Sequence, residues 1–134
     1  MEKSPKILIV DDDPDIREAI SAVLESQSYE VVQAANGEEG LAKIKDERPD
    51  LMILDLLMPK MDGFAVCRAL QDPRWSKYAT FPILILTSVR EEASRRRYEL
   101  ESGLALNVDD YAEKPIAPAA LLQRVDKLLK KKGS

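Results

Sequence analysis

The sequence predicts an α/β fold, a five-stranded parallel sheet with helices on both faces, and three observations carry that expectation. Lys6 to Val10 (KILIV), Leu51 to Leu54 (LMIL) and Ile83 to Leu86 (ILIL) are short, unbroken apolar runs, as strands buried on both faces require. The segments between them carry helical rather than alternating periodicity. Strand and helix patterns alternate along the chain, and right-handed crossovers then put the helices on both sheet faces.

Each element has its own signal. After the first strand, Asp13 and Pro14 suit a helix cap followed by an early helical proline. Ile16, Ala19, Ile20, Val23 and Leu24 then follow the i, i+3, i+4, i+7, i+8 pattern of one apolar stripe. A weaker strand, Tyr29 to Ala34, leads through Asn36-Gly37 into a second helix carrying Leu41 and Ile44. A third helix opens near Asp62-Gly63 and carries Phe64, Cys67 and Leu70. The fourth, between Glu91 and Ser102, has a thin apolar stripe and the run Arg95-Arg96-Arg97, which reads as a solvated face, a meeting point for an acidic partner or a self-association face. A short fifth strand falls at Asp110 to Glu113. The last helix has Pro118 near its start, Leu121, Leu122, Val125, Leu128 and Leu129 along one face, and Lys130 to Lys132 where cations meet the negative end of the helix dipole.

Length and composition restrict the function. The 134 residues form one domain, residues 1–134, and a 45% hydrophobic content fills one core without staples. One cysteine closes no internal disulfide, and Cys67 reads as a small buried hydrophobe; Trp75 and Tyr78 read as local packing. The absence of histidine removes zinc sites of the HExxH type, Ser-His-Asp and Cys-His nucleophiles, and any internal phosphohistidine. A formal charge of -4 opposes nucleic-acid binding over the whole surface, and no helix-turn-helix or winged segment is present. No apolar run reaches the roughly 20 residues that span a bilayer, so the expected location is cytoplasmic with no membrane contact.

The chemistry gathers at strand ends. Asp11 and Asp12 follow the first strand, Asp55 the third, Thr87 closes the fourth, and Lys114 follows the fifth. In open parallel sheets that carboxyl edge is where ligands bind. Three carboxylates meeting there need a cation among them, and oxygen-only donors favour Mg²⁺. A lysine and a hydroxyl at the same edge supply the positive charge and hydrogen bond a phosphoryl group needs, with a carboxylate as nucleophile.

Five motifs in order, Ile7 to Asp13 (ILIVDDD), Asp55 to Gly63 (DLLMPKMDG), Leu86-Thr87-Ser88, Asp109-Asp110-Tyr111 and Lys114-Pro115, closely resemble the receiver domain of two-component response regulators, over residues 5 to 132. The resemblance implies a (βα)5 flavodoxin-like sheet of strand order 2-1-3-4-5. It implies Asp55 as phosphoacceptor, phosphorylated by a phosphohistidine on a sensor histidine kinase or histidine phosphotransfer protein. It implies Mg²⁺ held by Asp11, Asp12, Asp55 and the backbone carbonyl of Leu57, Lys114 and Thr87 as the groups that meet the acyl phosphate, Pro115 as a cis-type proline, and Thr87 and Tyr111 as the switch pair.

Such a domain is no enzyme beyond its own phosphorylation and dephosphorylation. It acts through a downstream protein target or a fused effector, without direct nucleic-acid contact, and a phosphorylation-dependent dimer is among the assemblies the resemblance allows. The absence of histidine fits this role, because the donor must then lie on another protein. Two departures stand out: the stretch from Thr87 to Lys114 is long, with Gly103 to Val108 in place of a shorter connection, and the loop Asp72 to Phe81 is slightly extended. Two rival readings are a docking domain that works without phosphorylation and an aspartate-nucleophile phosphatase. The second expects an acid/base aspartate two residues after the nucleophile, where this chain has Leu57.

Overall fold

The computed structural model describes residues 4–88, 93, 95–97, 99 and 108–133, with the side chains of 87, 132 and 133 outside that description. Five strands, β1 (Lys6–Val10), β2 (Glu30–Ala34), β3 (Leu51–Asp55), β4 (Ile83–Thr87) and β5 (Asp110–Glu113), form one sheet in the order β2-β1-β3-β4-β5. Every neighbouring pair is parallel. The expected strand order is therefore met.

Strand β3 runs one residue past the apolar run that announces it, so Asp55 is the last residue of the strand and pairs in register with Leu86. Strand β4 likewise extends through Thr87, opposite Glu113, while β2 begins one residue later than expected, at Glu30. Ladder hydrogen bonding continues into the polar residues at the carboxyl edge, which hydrophobicity alone does not register.

Successive strand residues point to opposite faces, and this alternation splits the interior in two. Leu8, Val10, Met52, Leu54, Ile83 and Ile85 face α2 (Gly37–Glu47) and α3 (Gly63–Leu70), together with Ile44, Phe64, Cys67 and Leu70. Ile7, Ile9, Leu51, Ile53, Leu84 and Leu86 face α1 (Pro14–Glu25) and the C-terminal helix (Pro118–Gly133), together with Ile20, Leu24, Leu121 and Val125. β1 and β3 carry apolar layers on both sides, which is why their runs are unbroken.

The helices start where local chemistry dictates. Asp13, Asn36 and Asp62 each accept a backbone N–H of the first turn of α1, α2 and α3, at 2.9, 3.0 and 2.9 Å. In α1 the buried positions are Ile20, Ser21 and Leu24, with Ile16 and Val23 half-buried, whereas Ala19 is exposed. The inward face is rotated toward Ser21, whose hydroxyl accepts from Gln33 Nε2 at 2.9 Å and so satisfies a polar group at 2% exposure.

Between Thr87 and β5, Ala93, residues 95–97 and Glu99 have helical backbone; the remainder of the expected fourth helix and the Gly103 to Asn107 segment lie outside the described residues. Among the described residues no helix is long and apolar enough to cross a membrane.

Candidate functional site

The order of strands sets the position of the site. From β1 the chain crosses to β2 on one side and returns to β3 on the other, which leaves a crevice at the carboxyl ends of β1 and β3. Asp11 and Asp55 sit there, each 3% exposed, although carboxylates are among the residues least often buried.

Backbone contacts fix the acidic loop. Asp11 N–H donates to the Ala34 carbonyl at 3.1 Å, extending the β1–β2 ladder by one bond. Asp11 Oδ1 accepts from Asp13 N–H at 2.9 Å, and Oδ2 accepts from Lys114 Nζ at 3.1 Å. The same ammonium lies 3.4 Å from Asp55 Oδ1, so one lysine from the far side of β5 pairs with both buried carboxylates. Exposed Asp12 completes a group in which Asp11, Asp12 and Asp55 each bring an oxygen within 4.8 Å of the others.

Among the described residues, these three carboxylates against the Lys114 ammonium leave an excess of negative charge in a largely buried site. That donor set, all oxygen and charge-unbalanced, suits a hard divalent cation. The residues present thus fit a metal, with Asp12 on the open side as the route to solvent.

The structure brings Asp11, Asp12, Asp55 and Lys114 together. Leu57 lies two residues beyond β3 with its side chain half-buried against the first apolar layer, so its carbonyl is the polar group it has to offer. Thr87 ends β4 beside these residues in the sheet; its side chain is outside the described residues. Tyr111 stands apart on β5, half-buried against the first apolar layer, with its ring 4.6 Å from the Arg95 guanidinium. Burial pushes the Tyr111 hydroxyl above its ordinary value, with Arg95 pulling the other way. The Lys114-Pro115 peptide is cis.

Several contributors are invisible in the sequence. Arg17, half-buried on α1, donates Nη1 to the Asp11 carbonyl at 2.7 Å and Nε to Gln33 Oε1 at 3.1 Å. Gln33 reaches back to Ser21 and Glu18, so edge strand β2 and α1 together clamp the backbone that presents the acidic pair. Nothing in a lone arginine on a helix announces this. Gly63 is a second case: a Cβ there would fall 2.5 Å from the Asp55 carbonyl oxygen and 2.9 Å from Leu56 Cα. The helix that follows the loop after β3 therefore approaches the end of that strand more closely than any side chain permits. Arg95 is the third, half-buried and paired with Glu99 at 2.8 Å, whereas Arg96 and Arg97 are exposed as expected of a solvated face.

Residues 7–126 match the model of the response regulator receiver domain. The chain belongs to this family. It is 40% identical over 126 residues to the alkaline phosphatase synthesis transcriptional regulatory protein PhoP of Bacillus subtilis (strain 168), a match covering 94% of this chain and 49% of that protein. The structure resembles the chemotaxis protein CheY4 of Vibrio cholerae, with a TM-score of 0.77 and 32% identity over 93% of this chain and 98% of that one. It also resembles a CheY-like receiver domain protein from Methanospirillum hungatei JF-1, with a TM-score of 0.75, 29% identity and 97% coverage of each.

The chain spans about half the length of the curated relatives it matches. Because those relatives include proteins named as transcriptional regulators, the sequence-based exclusion of nucleic acid finds no support in them. Nor does the phosphatase reading: the family is that of a signalling receiver, and the position an acid/base aspartate would need holds Leu57 against the core.

Proposed function

We propose that Asp55 accepts a phosphoryl group from a phosphohistidine on a sensor histidine kinase or histidine phosphotransfer protein, and that the resulting charge resets a partner-binding surface. One observation carries this reading: Lys114 Nζ reaches both Asp11 and Asp55, at 3.1 and 3.4 Å, beside a third carboxylate, so acceptor, counter-charge and metal donors share one crevice.

In this reading Asp11, Asp12, Asp55 and the Leu57 carbonyl would hold Mg²⁺. When bound, Mg²⁺ neutralises the negative charge that otherwise repels the donor's phosphoryl oxygens. An Asp55 carboxylate oxygen attacks phosphorus, the P–N bond to the donor imidazole breaks, and its electron pair leaves on that nitrogen, which is then protonated. Lys114 stays beside the acyl phosphate and offers its ammonium to the new oxygens, joined by the Thr87 hydroxyl. Tyr111 responds from the neighbouring strand.

The chemistry is the domain's own phosphorylation and hydrolysis rather than turnover of an outside substrate, and its place of work is the cytoplasm. Output passes to a protein target or to an effector such as the relatives' names suggest. Incubation with acetyl phosphate and Mg²⁺, read by intact mass, tests the reading: one phosphoryl group is gained, none without Mg²⁺ and none in Asp55→Asn. Failure to gain it with a donor that phosphorylates another receiver overturns the proposal.

A further inference from the structure

At the edge of the sheet opposite Asp55, where α2 ends and the chain turns from α3 toward β4, cations gather around two rings. Trp75, at the end of a 3-10 turn (Pro73–Trp75), and Tyr78 meet edge to face at 5.6 Å and rest half-buried on the first apolar layer. Lys45 Nζ lies 4.7 Å from the Trp75 ring centre and 5.8 Å from that of Tyr78. The Arg48 guanidinium is 4.3 Å from the Tyr78 ring and Lys77 Nζ 5.2 Å from it.

All three cations are exposed, and none forms an ion pair with a carboxylate among the described residues. Their neighbours differ: on the same edge Lys6 pairs with Glu47 at 3.1 Å and Arg74 with Asp72 at 3.0 Å. In a chain of net charge -4, three like charges converge on one ring pair without an ion-paired carboxylate among the described residues, although Arg48 also borders a pocket that Glu47 and Asp50 line. A helix dipole accounts for Lys45 and Arg48 at the end of α2 but not for Lys77, which belongs to the loop. The rings hold the cations in place by their negative faces, so little side-chain freedom remains to be lost when an anion arrives.

We propose that Lys45, Arg48, Trp75, Lys77 and Tyr78 form a docking surface for an acidic polypeptide segment of a partner protein. Charge complementarity selects the occupant: carboxylates placed among the three cations relieve their mutual repulsion, and the aromatic bed gives the segment an apolar floor. The surface lies at the opposite edge from the acidic cluster, so its occupancy is independent of phosphorylation and of that reading of Asp55.

Trp75 is the chain's one tryptophan, so its emission reports on the patch directly. The test is titration of the full chain with a hexaglutamate peptide, with a short DNA duplex as the competing probe. Hexaglutamate should give a saturable change that weakens with added salt and is the same in Asp55→Asn. Affinity should fall about tenfold when the three charges are removed in a Lys45→Met, Arg48→Met, Lys77→Met variant, which keeps apolar stems over the rings, and further in the corresponding triple Glu variant. Absence of a saturable change, equal affinity in the methionine variant, or tighter binding of the duplex than of hexaglutamate would each overturn the proposal.

Discussion

Replacing Asp55 by Asn should stabilise the metal-free chain, although it removes the proposed phosphoacceptor. Asp11 and Asp12 each hold a carboxylate oxygen within 4.8 Å of one on Asp55. At an effective dielectric near 20, each such pair costs about 3.5 kcal/mol, while Lys114 at 3.4 Å returns about 5. The balance against Asp55 is about 2 kcal/mol, trimmed toward 1 because Asp12 is exposed and screened. For a chain of 134 residues that is a rise of about 4 to 8 °C in the melting temperature.

Lys114→Met is the opposite perturbation: it leaves two buried carboxylates without this cation and should cost about 3 kcal/mol. Circular-dichroism melts of the three proteins in EDTA measure both signs. Saturating Mg²⁺ should then close the gap, since binding at a hundred times Kd adds about 2.7 kcal/mol to the wild type and less to a site lacking one ligand. A destabilised Asp55→Asn in EDTA, or an equal gain from Mg²⁺ in both proteins, would refute the reasoning.

Arg17→Met should weaken Mg²⁺ binding about tenfold by releasing the Asp11 carbonyl, with Arg17→Lys intermediate; isothermal titration measures it. Gly63→Ala should destabilise by about 1–3 kcal/mol and slow phosphorylation, because the added Cβ meets the Asp55 carbonyl and Leu56 Cα, both backbone that must shift; denaturant melts and donor kinetics read the two effects. Burial, and then the Asp62 charge, push the Cys67 thiol from an ordinary 9.0 up to about 12. That contribution to stability is complete below pH 9 and is lost as pH rises toward 12, by up to about 4 kcal/mol. The denaturant midpoint should therefore fall with pH more steeply for the wild type than for Cys67→Ala.

The sheet was legible because it is buried on both faces: β1, β3 and β4 had to be continuous apolar runs, and no other element of comparable length competes with them. The carboxyl-edge residues were legible through position, since Asp11, Asp55 and Lys114 each directly follow or end a strand. What stayed hidden depends on contacts far apart in sequence. Arg17 acts on Asp11 through a hydrogen bond that exists only once α1 lies on β2, and Ser21 is buried because Gln33 crosses from the edge strand to meet it. Gly63 reads as a turn residue in sequence, yet its absent side chain is required by the backbone of Asp55 and Leu56. Arg95 reads as part of a solvated run, whereas its guanidinium covers the Tyr111 ring.

Reductive trapping tests the central claim most directly. Borohydride converts an aspartyl phosphate to homoserine, so treatment after incubation with acetyl phosphate and Mg²⁺, followed by peptide mass spectrometry, marks the acceptor by position. The account predicts homoserine at residue 55 alone, and none when Mg²⁺ is withheld. Homoserine at Asp11, Asp12 or Asp13, or a phosphorylated chain with Asp55 unmodified, would contradict it.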